Sequence, residues 1–350
     1  MNEIYLKIYA SVQVTKGITR LLVVDYAHDF VYYLPLEYYD IFELLKHKSI
    51  NSIQDSLDDK VSRDNFDSFI NFVIDNRLGF KTETPESFPD ISEDLFGDNK
   101  EIFDSIIEIG NESNLKDIFS FCTQIAELGC QEIEIWIVSE CVSTMILQAL
   151  CNQLTVLGFS YIAIHLPYCP DYGTTELLLR TLIENTPALK KVYAYNAPIN
   201  KRIDVVKQSP NIPSVSLGEL FFIKKNFEGG KECGKINFTS LDFSGHWVCN
   251  QLKKFNGCLY KKISLNRNGY LMNCPLMEHD YGHISKHSVK EISNDETFKF
   301  WGKINKDQIS ECKVCEYRYN CCDCRAIRKS KDIYSKPLKC SYNPNLNIWE

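Results

Sequence analysis

No stretch of this sequence approaches the roughly 18 consecutive apolar residues of a membrane-crossing helix, so no membrane partner is expected. The opening, MNEIYLKIYA, has neither a basic leader with an apolar core nor a small-residue cleavage site. Neither GxGxxG nor GxxxxGK followed by Ser or Thr occurs, which removes local support for nucleotide binding. There is no low-complexity tract, and no clear internal repeat. These absences predict a cytoplasmic protein. What stands out instead is cysteine, 15 among 350 residues. Thiols stay reduced in the cytoplasm, so an odd count with a dense CxxC run points to a metal or a cluster rather than to disulfides.

The apolar content of 44% suits a globular chain of two or three domains. Charge is unevenly spread: residues 251–350 hold 18 Lys and Arg against 11 Asp and Glu, and the first 250 hold 21 against 35. A basic tail fits a nucleic-acid surface, compensation of an anionic cluster, or attraction of an acidic peptide. The aromatic residues, 12% of the chain, fall mostly at core-like periodic positions, so nucleic acid is not the expected partner.

Three regions follow one another. In residues 1–84, EIYLKIYASV (3–12), TRLLVVD (19–25) and FVYYLPL read as strands, with TKG as a turn between the first two. EYYDIFELLK repeats Tyr39, Phe42 and Leu45 at helical spacing, and DNFDSFINFVIDNRLGFK reads as a second helix capped by Asp64 or Asn65 and stopped by Gly79. This makes a small winged-helix-like unit. Residues 85–99, with Pro85 and Pro89 among acidic residues, read as a linker. Over residues 100–240 the apolar runs IFDSIIEIG, QEIEIWIVS, SYIAIHL and LKKVYAYNAP alternate with helical stretches, which implies parallel strands in an open sheet or partial (β/α) barrel of four or five units. Residues 241–350 lose the alternation and carry the cysteine run. The fold class is α/β.

In that tail, Cys258 and Cys274 flank a hairpin whose turn is Asn268-Gly269. Cys312, Cys315, Cys321, Cys324 and Cys340 follow, and Cys249 lies just upstream. Eight thiolates match two sites of four, whether [4Fe–4S] or zinc, with Cys322 as a spare or alternative ligand. Spacing alone leaves iron–sulfur and zinc equally open. Cys122, Cys130, Cys141, Cys151 and Cys169 are dispersed and read mostly as small core residues.

The half-motif CX10GX4C followed by CX2CX5C, a further cysteine and a distal one resembles the SPASM domain of peptide-modifying radical S-adenosylmethionine enzymes. The resemblance implies one or two [4Fe–4S] clusters, with zinc as the alternative. It assigns Cys312, Cys315, Cys321 and Cys340 to one cluster, and Cys258, Cys274 and Cys324, with Cys249, to the other. The sequence departs from the family in leaving two residues between Cys321 and Cys324 instead of three, and in the distance of Cys249 from Cys258. It also lacks the CX3CX2C run that binds the radical-generating cluster, so an active radical enzyme is not implied and the middle region resembles a degenerate relative of that barrel.

The closing stretches KDQISECKVCEYRYNCCDCRA and YSKPLKCSYNPNLNIWE resemble the peptide maturase of grasp-with-spasm systems. That resemblance implies a maturation factor for a ribosomally made peptide, with a precursor peptide and an ATP-grasp peptide ligase as partners. The N-terminal unit then resembles a leader-recognition element, with residues 19–34 as docking strands and the helix 65–78 as the far wall of the groove. The contrasting reading is a zinc-stapled protein- or nucleic-acid-binding protein. His279, His283 and His287 recur every fourth residue, but Gly282 argues against a helix that would align them. His165 and His246 have no Ser or Cys partner at a recognisable spacing.

Overall fold

The structure is a computed structural model that describes residues 3–90, 100–172, 174–209, 212–231 and 233–350. The second half of the expected linker, residues 91–99, lies outside the described residues.

The N-terminal unit runs β1 (Tyr5–Ile8), β2 (Val12–Lys16), β3 (Arg20–Asp25), β4 (Phe30–Pro35), α1 (Tyr38–Leu45), α2 (Ile50–Asp55), α3 (Lys60–Asp75) and β5 (Gly79–Thr82). The single strand expected over 3–12 is broken: Val12 N–H bonds the Tyr9 carbonyl at 2.9 Å, a turn that separates β1 from β2. Thr15 and Lys16 extend β2 rather than turning, and the hairpin closes from Gly17 N–H to the Arg20 carbonyl at 2.9 Å. β2, β3 and β4 form an antiparallel meander, while β1 pairs separately with β5. α3 starts four residues earlier than its expected first cap because Asp59 accepts from Ser62 N–H at 2.9 Å, satisfying a first-turn amide.

β3 explains its own unbroken apolar run. Leu21 and Val23 enter the core of the N-terminal unit with Phe42, Phe66 and Phe69. Leu22 and Val24 face the opposite way and pack on Tyr317 and Tyr342 of the C-terminal tail. A strand covered on both faces has no polar side to alternate with.

The middle region supplies β6 (Asp104–Ile109), α4 (Leu115–Glu127), β7 (Glu132–Ile137), α5 (Thr144–Val156), β8 (Tyr161–Pro167), α6 (Glu176–Asn185), β9 (Leu189–Tyr195), β10 (Lys201–Ser209) and β11 (Ile212–Ile223). The tail adds α7 (His246–Lys254), β12 (Lys262–Leu265), β13 (Leu271–Met272), α8 (Val289–Asn294), α9 (Glu296–Gly302), β14 (Tyr342–Asn343) and β15 (Ile348–Trp349). The large sheet has the order β10-β11-β9-β8-β7-β6-β12-β13, parallel except at its two ends, which is a mixed α/β architecture consistent with a partial barrel.

Two features depart from the sequence reading. β10 and β11 form a long antiparallel hairpin beyond the last expected strand, with Ile203, Val205, Leu220 and Phe222 turned into the core. The tail is not separate from the sheet either: β12 pairs in parallel with β6, and Ile263, Leu265 and Leu271 join the central core. No helix among the described residues is long and apolar enough to cross a membrane.

Candidate metal centre

The hairpin β12–β13 sets the first cysteines. Its loop is a three-residue turn in which Gly269 alone takes the left-handed backbone, at φ 81°, and Asn266 Oδ1 accepts from both Asn268 and Tyr270 N–H at 3.0 Å. Cys274 follows β13 and is buried. Cys258 enters from the other side, its N–H held by Asn256 Oδ1 at 3.0 Å; Asn256 also donates to Asp323 Oδ2 at 3.1 Å.

Cys312 and Cys315 bracket a 3-10 turn closed by Cys315 N–H on the Cys312 carbonyl at 2.9 Å. Cys321 and Cys340 are placed by isolated bridges to Leu241 and Ile236. Every cysteine in the described residues is a free thiol.

The thiols of the tail fall into two neighbourhoods, each built around a lysine, Lys306 buried and Lys262 partly buried. Lys306, 4% exposed, sits within electrostatic reach of Cys321, Cys312 and Cys340, with its Nζ 4.0 Å from Cys312 Sγ. Cys315 is next to Cys321 and Cys312. Lys262 bonds Asp104 Oδ1 at 2.7 Å and stands beside Cys258 and Cys274, which neighbour Cys324 and, respectively, Cys322 and Cys233. Burial works to lower the pKa of each lysine, but the surrounding carboxylates and sulfur groups outweigh it and raise both well above the ordinary value. Both are therefore fixed positive charges.

Burial also raises the thiols of Cys312 and Cys274, both pushed up to about 12. Without a metal, these sulfurs hold their protons at neutral pH. Among the described residues, no three His, Cys, Asp or Glu side chains are arranged to hold a metal ion. The thiols are neighbours and not a closed coordination shell. The donor chemistry itself fits a soft thiophilic centre, because a set of thiolates needs the compensating cations that Lys306 and Lys262 provide.

Between the two neighbourhoods lies Asp323, 2% exposed, which bonds Arg325 Nη2 at 2.7 Å and reaches Lys306 Nζ at 3.6 Å. It is the hinge of a buried network that sequence spacing did not reveal, although it sits between Cys322 and Cys324.

Cys249 is placed elsewhere. It is buried on α7 and shares a hydrogen bond with the Tyr26 hydroxyl of the N-terminal unit, and it is not among the groups acting on Cys258 or Cys274. Cys233, absent from the sequence-based ligand set, stands beside Cys324 and Cys274 instead. Gly234 follows it with φ 75°, and a Cβ built there would lie 3.3 Å from Cys324 Sγ. The only signal for it in the sequence is the glycine-rich setting EGGKECGK.

Cys122, Cys130 and Cys151 are buried in the central core, whereas Cys141 and Cys169 lie together in the loops after β7 and β8. His279, His283 and His287 go to different partners: the Tyr281 ring, Asp117 at 3.9 Å and Glu291 at 3.6 Å. His165 is stacked on Tyr193 at 4.4 Å, and burial lowers its pKa to about 4, so the ring is neutral at physiological pH.

No family model matches the chain, and no curated protein matches it. Among solved structures the chain is similar to Streptococcus suis SuiB, with 11% identity and a TM-score of 0.40, over 95% of this chain and 98% of that one. SuiB bound to S-adenosylmethionine matches at 10% identity and a TM-score of 0.35, and SuiB bound to the precursor peptide SuiA at 10% and 0.36, with the same coverage. Likeness at this level transfers no residue roles.

Proposed function

We propose that this chain is a metal-bearing maturation factor for a ribosomally made peptide, holding a precursor for modification by an ATP-grasp peptide ligase. The observation that carries the reading is the sorting of the tail thiols into two sets around Lys306 and Lys262. It supports a division into the two ligand sets that the SPASM resemblance implies, with Cys233 proposed in place of Cys249.

The first cluster would be held by Cys312, Cys315, Cys321 and Cys340, and the second by Cys258, Cys274, Cys324 and Cys233. A [4Fe–4S] group, when bound, supplies a rigid anionic node that can also pass electrons. The chain's own part is to balance its charge with Lys306 and Lys262, and to fasten the tail to the sheet through β12. With no phosphate-binding loop in this sequence, ATP belongs to the partner ligase.

The test is anaerobic reconstitution followed by iron and sulfide analysis. Two clusters give about eight iron per chain, and Cys315→Ala is expected to remove about four. Stoichiometric zinc in protein purified without oxygen, or full iron retention by Cys315→Ala, overturns the reading.

A further inference from the structure

β7 and β8 are neighbouring parallel strands, paired from Glu132 with Tyr161 to Trp136 with His165, so the segments that follow them leave the sheet side by side. Cys141 lies in the first segment and Cys169 in the second, both half-buried. Cys169 Sγ donates to the Glu140 carbonyl at 3.0 Å, the carbonyl of the peptide bond that leads into Cys141, and the two cysteine side chains share a hydrogen bond.

The backbone is fixed on both sides of this pair. Cys169 N–H bonds Thr174 Oγ1 at 2.5 Å, Thr174 N–H returns to the Cys169 carbonyl at 3.2 Å, and Thr174 is fully buried. Across from it, Ser139 Oγ donates to the Cys141 carbonyl at 3.1 Å. Two thiols are half of what a structural zinc or a [4Fe–4S] cluster takes, so the pair is not a third centre of that kind. Cys122, Cys130 and Cys151 are enclosed in the core, whereas Cys141 and Cys169 are open to a small reagent.

We propose that Cys141 and Cys169 form a reversible redox site, closing to a disulfide when a small-molecule disulfide of the glutathione class is in excess and reopening when its thiol is. Partial burial and then the neighbouring Cys141 sulfur raise the Cys169 pKa to about 12, so Cys169 keeps its proton and the reaction begins at Cys141. The Cys141 thiolate, its proton released to solvent, attacks one sulfur of oxidised glutathione and expels the other half as a thiolate, leaving a mixed disulfide. The negative charge on Cys141 is then gone and no longer opposes ionisation of Cys169. Cys169 gives up its proton, attacks the Cys141 sulfur and expels the second glutathione. The pair loses two electrons and two protons, and these leave as two glutathione thiols.

The bridge ties together the loops after β7 and β8, with α5 and β8 inside the ring it closes. Those loops stand at the carboxyl edge of the parallel strands, where open α/β sheets bind their ligands, so oxidation clamps that edge. In a reducing compartment a bridge of this kind is transient and redox-sensing. The inference does not depend on the peptide-maturation reading.

The test equilibrates the full chain, purified and kept without oxygen, in glutathione buffers of rising disulfide content, followed by acid quenching, alkylation with N-ethylmaleimide in denaturant and peptide mass analysis. A linked peptide pair carrying Cys141 and Cys169 is expected, with the loss of both as alkylated thiols, while Cys122, Cys130 and Cys151 remain alkylated and dithiothreitol restores the pair. Cys169→Ser is expected to stop at a glutathione adduct on Cys141. Cleavage by a glutamyl endopeptidase after Glu140, which is exposed, is expected to slow on oxidation and to recover on reduction. Both thiols still free in oxidised glutathione alone, or either one linked to a different cysteine, overturns the redox site. Unchanged cleavage of the linked protein overturns the clamp.

Discussion

Asp323 is enclosed by two cations, Lys306 and Arg325, all three at most 4% exposed. Arg325 in turn donates to the carbonyls of Ile333 and Ser335 at 3.1 and 2.8 Å, so one carboxylate organises the turn beyond the cysteine run. Removing one partner of a buried charge cluster leaves the others unpaired and desolvated. Asp323→Ala is therefore expected to cost about 3–5 kcal/mol, read as a fall in the denaturation midpoint of the metal-free chain. Asp323→Asn, which keeps the shape and can still accept from Arg325, is expected to lose less. Equal midpoints for Asp323→Ala and the unaltered chain would refute the network's role.

Among the elements, the β12–β13 hairpin joins the tail to the sheet. Its turn depends on Gly269, where φ 81° disfavours any residue with a side chain and a built Cβ would come within 2.5 Å of His283 Nε2. The imidazole end can move, so the backbone conformation dominates the cost. Gly269→Ala is expected to destabilise by about 1–2 kcal/mol, seen as a lower urea midpoint with an unchanged slope. The hairpin was legible in advance because Asn-Gly between apolar strands is a local signal. Its pairing with β6, more than 150 residues distant, had no such signal.

Across the whole molecule, Arg20 holds the N-terminal unit to the tail. Its Nε bonds Glu316 Oε1 at 2.7 Å, and its Nη2 bonds the hydroxyls of Tyr317 and Tyr342 at 3.1 and 3.2 Å. Glu316 is 0% exposed, and Gly17 packs so closely that a Cβ would meet Glu316 Cβ at 2.9 Å. With Leu22 and Val24 buried on the same side, the two regions are expected to unfold together. Arg20→Ala should cost about 3 kcal/mol by leaving the buried Glu316 carboxylate without its cation, held by the Tyr342 hydroxyl, and split the calorimetric transition in two. A single transition at an unaltered temperature would mean that this contact does not couple the regions.

What the amino-acid order determined by itself was local: the four parallel strands β6 to β9 and the helices between them, whose apolar periods survive in isolation, and the grouping of the tail cysteines by short spacing. β10 and β11 were hidden because Pro210 and Pro213 interrupt their alternation in the sequence. Only tertiary structure decided that Cys233 and not Cys249 neighbours Cys324, that Lys306 and Lys262 stand among the thiols, and that β3 is covered on both faces. Each of these follows from contacts between segments far apart in the chain, where the burial of charge and apolar surface is set by the partner and not by the residue's own neighbours.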